Sequence, residues 1–274
     1  MRPILFTTPW GFEVHTFGVL MVLAFLGAIY IVQIRAAKYG LTKAQVSDCC
    51  FWALVAGVFG ARFAFIAQEP VWFYQHPSEL FTLQFRGLTS FGGLIFGAVA
   101  VILWARKHGI GTLAILDLSA PAFVTGHAIG RIGCLMNGCC FGGVCPPTFP
   151  LGVHVEGSLV LHYPAQASDT LMNFGVLGLL LWREKKGGLR LGQLTGLMLI
   201  LHGATRVIYE FFREGTQQQV DANIASSTYW GNLPFTQAQV MAVGLMAIGV
   251  ALMLFAGSKS RNRTVAFPPE AHAV

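Results

Sequence analysis

His202, Arg206 and Glu210 stand four residues apart in the run LHGATRVIYEFFREG (201–215), so a helix carries all three on one face. A guanidinium at the centre of such a row suits phosphate, because its planar fork donates two parallel hydrogen bonds to an anion. Glu210 can neutralise Arg206 or hold its fork toward a ligand. His202 can accept a proton or serve only as a hydrogen-bonded packing residue.

A second run, GHAIGRIGCLMNGCCFGGVC (126–145), places Arg131 and Asn137 among Gly130, Gly133, Gly138, Gly142 and Gly143. Glycines at these spacings allow close helix contact or backbone approach to a ligand. Irregular backbone at membrane depth is tolerated only where protein buries it or a polar cavity wets it, so this run predicts a cavity wall. His127, one helical turn before Arg131, is a second candidate base. Cys134, Cys139, Cys140 and Cys145 cluster here without C-x-x-C spacing or a paired His, which argues against a zinc site. One or two disulfides bracing the loop are the expectation, with the connectivity open; no metal and no cofactor is expected. Cys49 and Cys50 read as reduced packing residues.

The elements that must position these groups are apolar. The chain of 274 residues is 54% hydrophobic and 11% charged, with mean hydropathy +0.61, whereas soluble domains carry about 25% charged residues. Seven stretches are long enough to cross a hydrocarbon core: 15–34, 48–68, 90–105, 112–133, 167–182, 193–213 and 237–256. The expectation is an all-α integral membrane protein of seven transmembrane helices forming one membrane domain over 1–274. The first stretch is too long for a signal peptide's apolar region and lacks a cleavage pattern, so it is expected to stay as a helix.

Basic residues settle an expected topology. Arg35, Lys38, Lys43, Arg106, Lys107, Arg183, Lys185, Lys186, Arg190, Lys259, Arg261 and Arg263 follow the odd-numbered helices. The excess of Lys and Arg on cytoplasmic loops then puts the N-terminus outside and the C-terminus inside. The net charge of +6 is thus spent on orientation, and no nucleic-acid partner is expected. The other basic residues, Arg2, Arg62, Arg86, Arg131, Arg206 and Arg213, are all Arg. Arg62, Arg131 and Arg206 fall in the outward-running second, fourth and sixth helices, toward the outer leaflet. Each costs about 2.5–3.5 kcal/mol to insert at mid-bilayer. They either snorkel singly to the interface or converge on an anionic lipid headgroup. Residues 69–89, with Trp72, Phe73, Tyr74, Phe81 and Phe85, suit an extracytoplasmic arm at the interface, and about 134–166 a Cys/Gly-rich head.

These segments together resemble the prolipoprotein diacylglyceryl transferase family. The resemblance runs through HTFGVLM (15–21), GARFAF (60–65), SFGGLIFG (90–97), DLSAP (117–121), GRIGCLMNGCCFGG (130–143), YPAQASD (163–169) and ATRVIYEFFREG (204–215). It implies a bacterial inner-membrane enzyme that transfers the diacylglyceryl group of phosphatidylglycerol to the lipobox cysteine of a prolipoprotein signal peptide, forming a thioether and releasing glycerol 1-phosphate. It also implies that Arg131 and Arg206 are essential, with Glu210, Asn137 and Gly142 at matching positions. Phe91, Cys134, Cys139, His202 and Phe17 depart from the family pattern, at groups that bear on proton transfer. The expected roles are a phosphate clamp of Arg131 and Arg206, an orienting Glu210, added positive potential from Arg62, and His202 as base with His127 behind it. The rivals are a non-catalytic lipid-binding homologue or lipoprotein-biogenesis accessory on the same scaffold, and a small-solute transporter, disfavoured because no internal repeat is visible.

Overall fold

Each of the seven apolar stretches folds as a helix. The computed structural model describes residues 4–256 apart from 8, 12, 69, 77–89, 155–158, 216, 223–224 and 226. A short hairpin, β1 (Ile4–Thr7) and β2 (Glu13–His15), leads into α1 (Thr16–Arg35). Then come α2 (Lys43–Gln68), the short α3 (Pro70–Gln75), α4 (Ser90–Lys107) and α5 (Thr112–Met136). After α5 the chain makes a two-stranded hairpin, β3 (Val153–His154) and β4 (Leu161–His162), before α6 (Ala165–Lys186) and α7 (Gln193–Phe211). The parallel pair β5 (Glu214–Gly215) and β6 (Ser227–Thr228) flanks α8 (Gln217–Asp221). Last comes α9 (Gln237–Ala251), which runs on into a π-helical turn, Leu252–Ala256.

Four of the helical segments, Thr16–Tyr39, Lys43–Gln68, Thr112–Met136 and Gln237–Phe255, are long and apolar enough to cross a membrane by length and composition. In α6 and α7 the apolar face points out and the polar face in. Gln166, Asp169 and Asn173 are buried while Leu171, Phe174, Leu179 and Trp182 are exposed; His202 and Glu210 are buried while Ile208 and Phe211 are exposed. A water-soluble helix has the opposite arrangement. An apolar exterior over a polar interior is what a lipid surround stabilises. The structure is that of a mostly helical membrane protein.

The chain packs as two compact units, Gln33–Leu118 and Met1–Val32 with Ser119–Val274. In the first, α2 and α4 meet at glycines. A Cβ on Gly60 would lie 2.3 Å from Phe96, and one on Gly92 would lie 2.4 Å from the Gly60 carbonyl. Small residues at such a seam let backbones approach where lipid supplies no hydrophobic drive between helices. Asp48 is held in this unit by the Trp104 indole N–H at 2.6 Å.

Arg35, which the sequence groups with the cytoplasmic basic residues, is only 2% exposed. Pro121 lies inside α5 and has no N–H, which leaves the Asp117 carbonyl without its helical donor. The Arg35 guanidinium donates to the carbonyls of Asp117, at 3.0 Å, and of Leu118. A charged donor on a buried carbonyl is worth about 1.5–3 kcal/mol. Arg35→Met is therefore expected to lower thermal stability in detergent by several degrees, with Arg35→Lys recovering part of the loss. An unchanged unfolding midpoint would show that water replaces the guanidinium at no cost.

In the second unit, Ala120 and Val124 of α5, Val176 and Leu180 of α6, and Leu194 and Met198 of α7 form a buried apolar core. α9 packs on α7 through Gly196 and Gly249, where a Cβ on either would come within 2.8 Å of the other's carbonyl. α1 reaches α5 at Gly126, whose Cβ position is 3.7 Å from the Ala24 carbonyl. This apolar layer fixes the three helices whose polar faces build the site.

Candidate active site

α5, α6 and α7 each contribute one turn of polar residues to a single buried network. From α5 come His127 and Arg131, four apart and on one face. α6 supplies Asp169 and Asn173, again four apart. Arg131 Nε lies 2.7 Å from Asp169 Oδ2, and the same oxygen is 3.2 Å from His127 Nε2. Asn173 Nδ2 donates to Asp169 Oδ1 at 2.7 Å and to the Asp169 carbonyl at 2.8 Å. Its Oδ1 faces His202 Nδ1 of α7 at 2.8 Å.

The network fixes the tautomer of His202. An amide oxygen only accepts, so His202 Nδ1 carries the proton and Nε2 the lone pair. His127 Nε2 faces two partners that ask for opposite tautomers: Asp169 Oδ2 at 3.2 Å, which accepts, and the Arg131 Nε–H at 3.4 Å, which donates. The two rings sit edge to face with centroids 4.8 Å apart. His127 keeps 22% of its side chain exposed, whereas His202 is 9% exposed and backed by Phe123.

Tyr209, fully buried on α7, is the centre of the charged half of the site. Three guanidinium carbons surround its ring: Arg131 at 4.8 Å, Arg206 at 4.7 Å and Arg213 at 5.1 Å from the centroid. The electron-rich face of the ring attracts cations and holds them where water would otherwise screen their repulsion. The hydroxyl accepts from Arg131 Nη1 at 3.2 Å and donates to the Cys140 carbonyl at 3.1 Å. The Arg131 and Arg206 side chains, expected from the sequence to converge, therefore meet on one tyrosine.

Glu210 is wholly buried and lies 3.1 Å from Arg206 Nη2 and 3.7 Å from Arg213 Nη1. Ser227 donates to its other oxygen, and the pairing of β6 with β5 brings Ser227 there. Among the described residues, three guanidiniums stand against two carboxylates, Asp169 and Glu210. Arg206 Nη1 is buried with no hydrogen-bond partner among the described residues. A buried donor without an acceptor costs about 1–3 kcal/mol, more when charged. Here that unused donor, among three guanidiniums, fits an anion with acceptor oxygens, such as a phosphodiester.

Beyond α5 the backbone is shaped by Gly142. Its N–H donates to the Tyr163 carbonyl at 2.9 Å, and the next N–H, of Gly143, to the Phe212 carbonyl at 2.7 Å. A Cβ on Gly142 would sit 2.8 Å from both the Phe212 carbonyl and Tyr163 Cβ. The glycine thus ties the head segment to the end of α7 at a crossing too tight for a side chain. Gly142→Ala is expected to destabilise by about 1–3 kcal/mol and to weaken activity by displacing Phe212 and Arg213. Wild-type turnover and melting in that variant would show that the crossing relaxes freely.

Asn137 is exposed, and the contact it makes is with the Cys139 thiol. Arg62 belongs to the other unit, where its guanidinium lies over Phe73 at 5.4 Å and Phe65 at 6.0 Å. The expected disulfides are absent: all six cysteines are free thiols. Cys134, Cys139 and Cys140 instead bring their sulfurs within 4.8 Å of one another, and Cys145 is buried against Gly152. The Cys140 thiol is held below the usual range by hydrogen bonds from the Cys134 and Cys139 thiols, and further by Arg131 and Arg213. Of the aromatic arm, residues 70–76 are α3 and the residue after it. Phe81, Phe85 and Arg86, and the basic residues Lys259, Arg261 and Arg263, lie outside the described residues.

Sequence reasoning passed over Tyr209 and Asp169 and gave Arg213 no role. Arg213 carried a signal, as one of the Arg residues outside the cytoplasmic pattern. Asp169 carried another, an acid opening an otherwise apolar stretch.

Helices with an apolar exterior over a buried cluster of arginines and carboxylates define a mostly helical membrane protein. The profile of the prolipoprotein diacylglyceryl transferase family matches residues 3–255, and the chain belongs to that family of transferases. Among similar proteins, the phosphatidylglycerol–prolipoprotein diacylglyceryl transferase of Paracidovorax citrulli is 30% identical over 257 residues, 89% of this chain and 91% of its own. The enzymes of that name from Clostridium tetani and Chlorobaculum tepidum are 29% and 28% identical. They cover 78% and 97% of this chain, and 86% and 93% of their own lengths.

Proposed function

We propose that this chain transfers the diacylglyceryl group of phosphatidylglycerol to the lipobox cysteine of prolipoproteins, in the bacterial cytoplasmic membrane. The observation that carries this reading is the ring of three guanidiniums about Tyr209, with an unused donor on Arg206. The scaffold is one membrane domain of seven spans, N-terminus outside and C-terminus inside. In that orientation the ends of α5 and α7, with Arg131 and Arg206, face the extracytoplasmic leaflet. A signal peptide delivers its cysteine there.

The substrate phosphodiester carries one negative charge. As the cysteine sulfur attacks the glyceryl carbon, an S–C bond forms and the C–O bond to phosphate breaks. The leaving glycerol 1-phosphate gains a further charge at the oxygen that departs. Donors already aimed at that oxygen stabilise the transition state more than the ground state. Arg131 and Arg206 hold the phosphate, Glu210 fixes the fork of Arg206, and Arg213 adds to the field. Arg62 supplies further positive potential; its support is its place past the middle of an outward-running helix. Asn137 and Gly142 border the headgroup on the head side, Gly142 by shaping the backbone.

The thiol, with a solution pKa near 8.5, must lose its proton. His127 is the better base. Asp169 lies against its ring, as a buried carboxylate holds a catalytic histidine, and it is the more exposed of the two imidazoles. His202, first choice on sequence, becomes a positioning residue that holds Asn173 on Asp169.

Purified chain in phosphatidylglycerol-containing micelles, given a lipobox peptide, is expected to release glycerol 1-phosphate and a thioether-linked peptide in equal amounts. Lipid binding without release would assign the chain to the non-catalytic homologues, and failure to rescue a transferase-depleted strain would agree.

A further inference from the structure

The three thiols at the end of α5 form a group that the proposed transfer chemistry does not use. α5 ends in a Schellman turn. Gly138, at φ 70°, is the left-handed residue. The Cys139 N–H donates back to the Cys134 carbonyl at 3.1 Å, and the Gly138 N–H to the Leu135 carbonyl at 3.2 Å. This turn brings the residue after the glycine against the third residue from the helix end. Here both are cysteines. The next residue, Cys140, has φ 62°, a left-handed conformation that a non-glycine residue adopts at a cost of order 1–3 kcal/mol. That second reversal turns the Cys140 thiol onto the other two, and all three sulfurs lie within 4.8 Å of one another. The residues are half-buried, so an ion can reach them.

We propose that Cys134, Cys139 and Cys140 bind one thiophilic metal ion, Cu(I) or Zn(II), as a three-sulfur site. Metal–sulfur bonds of about 2.3 Å put sulfurs about 3.8–4.0 Å apart in tetrahedral or trigonal geometry, within a small contraction of the observed spacing. Soft thiolate sets select these two ions over harder cations. Cu(I) is satisfied by three sulfurs; Zn(II) takes a fourth ligand, for which Asn137, beside Cys139, is at hand. Binding releases the thiol protons, and Arg131 and Arg213 bring positive charge to bear on Cys140 to offset the thiolates. The ion would also brace the turn whose Cys140 carbonyl accepts from Tyr209, so it would act as a structural support beside the arginine cluster.

The test uses the full chain in mild detergent, reduced and stripped of metal, titrated separately with Zn(II) and with Cu(I) against a chromophoric chelator. One equivalent of one ion per chain is expected. Cobalt(II), as a probe, is expected to give thiolate charge-transfer absorption. Cys139→Ser and Cys140→Ser should each lower affinity at least about tenfold, the order set by losing one of three ligands, while Cys49→Ser with Cys50→Ser should leave it unchanged. No stoichiometric uptake by the wild-type chain would overturn the proposal. So would equal uptake after all three cysteines are changed to Ser, or a metal-free chain lighter by two hydrogens, which would mean that the thiols oxidise to a disulfide instead.

Discussion

Arg206→Ala should cut kcat/KM for diacylglyceryl transfer by about a thousandfold or more, while the chain still inserts. Removing one preorganised donor from a developing oxyanion costs about 10²–10³ in rate, and here the donor also carries the charge that attracts the lipid phosphate. Insertion should not suffer, since an Arg in a spanning helix is itself unfavourable by about 2.5–3.5 kcal/mol. A complication is that Glu210, wholly buried, would keep only Arg213 as its cation. Taking one member from a buried pair can cost about 3–5 kcal/mol in stability. Two further variants separate stability from chemistry. Arg206→Lys keeps the charge without the fork and should fold normally with rate down about ten- to a hundredfold. Arg206→Ala with Glu210→Gln removes both charges and should recover stability without recovering rate. Arg131→Ala should match the loss, because Arg131 meets the same tyrosine from α5. A variant that melts like wild type and turns over at the normal rate would remove its arginine from the clamp.

His127→Ala is the second large effect, expected to lower kcat by about 10²–10⁴, the usual contribution of a positioned general base. The acidic limb of the pH–rate profile, where a base is lost to protonation, should vanish in that variant. Asp169→Asn should imitate it in part by releasing the imidazole from its carboxylate, and should also loosen Arg131. His202→Ala should cost less and leave the limb in place, since that ring is hydrogen-bonded to Asn173 and not to Asp169. If His202→Ala abolishes the acidic limb and His127→Ala does not, the two histidines exchange roles.

The helices were legible because apolar length is a property of sequence alone, and all seven predicted stretches are helical. The arginines were legible for a similar reason: a guanidinium inside an apolar run is too costly to be incidental. The row of His202, Arg206 and Glu210 followed from helical spacing, and Arg206 does lie against Glu210. Tyr209 was not legible as the meeting point. It lies three residues after Arg206 but far from Arg131 in the chain, and nothing local says that α5 turns Arg131 onto its face. Asp169 and Asn173 escaped for the opposite reason: their helix is apolar outside and polar inside, which lowers its hydropathy and makes the polar residues look like interruptions. The cysteines misled because four of them clustered on the expected extracytoplasmic side suggest disulfides bracing the loop. Two left-handed residues, Gly138 and Cys140, fold the C-x4-C-C spacing back on itself and leave three free thiols in contact. Arg35 misled too, because it stands beside basic residues in sequence while its partners are the Asp117 carbonyl, freed by Pro121, and the Leu118 carbonyl in another helix.

The most direct test is an experimental structure with phosphatidylglycerol bound in a lipid nanodisc. Density for the headgroup phosphate within hydrogen-bonding distance of Arg131 and Arg206, beside the Tyr209 ring, is the predicted result. A lipid whose phosphate lies elsewhere, with those guanidiniums engaged only by Asp169 and Glu210, would contradict it.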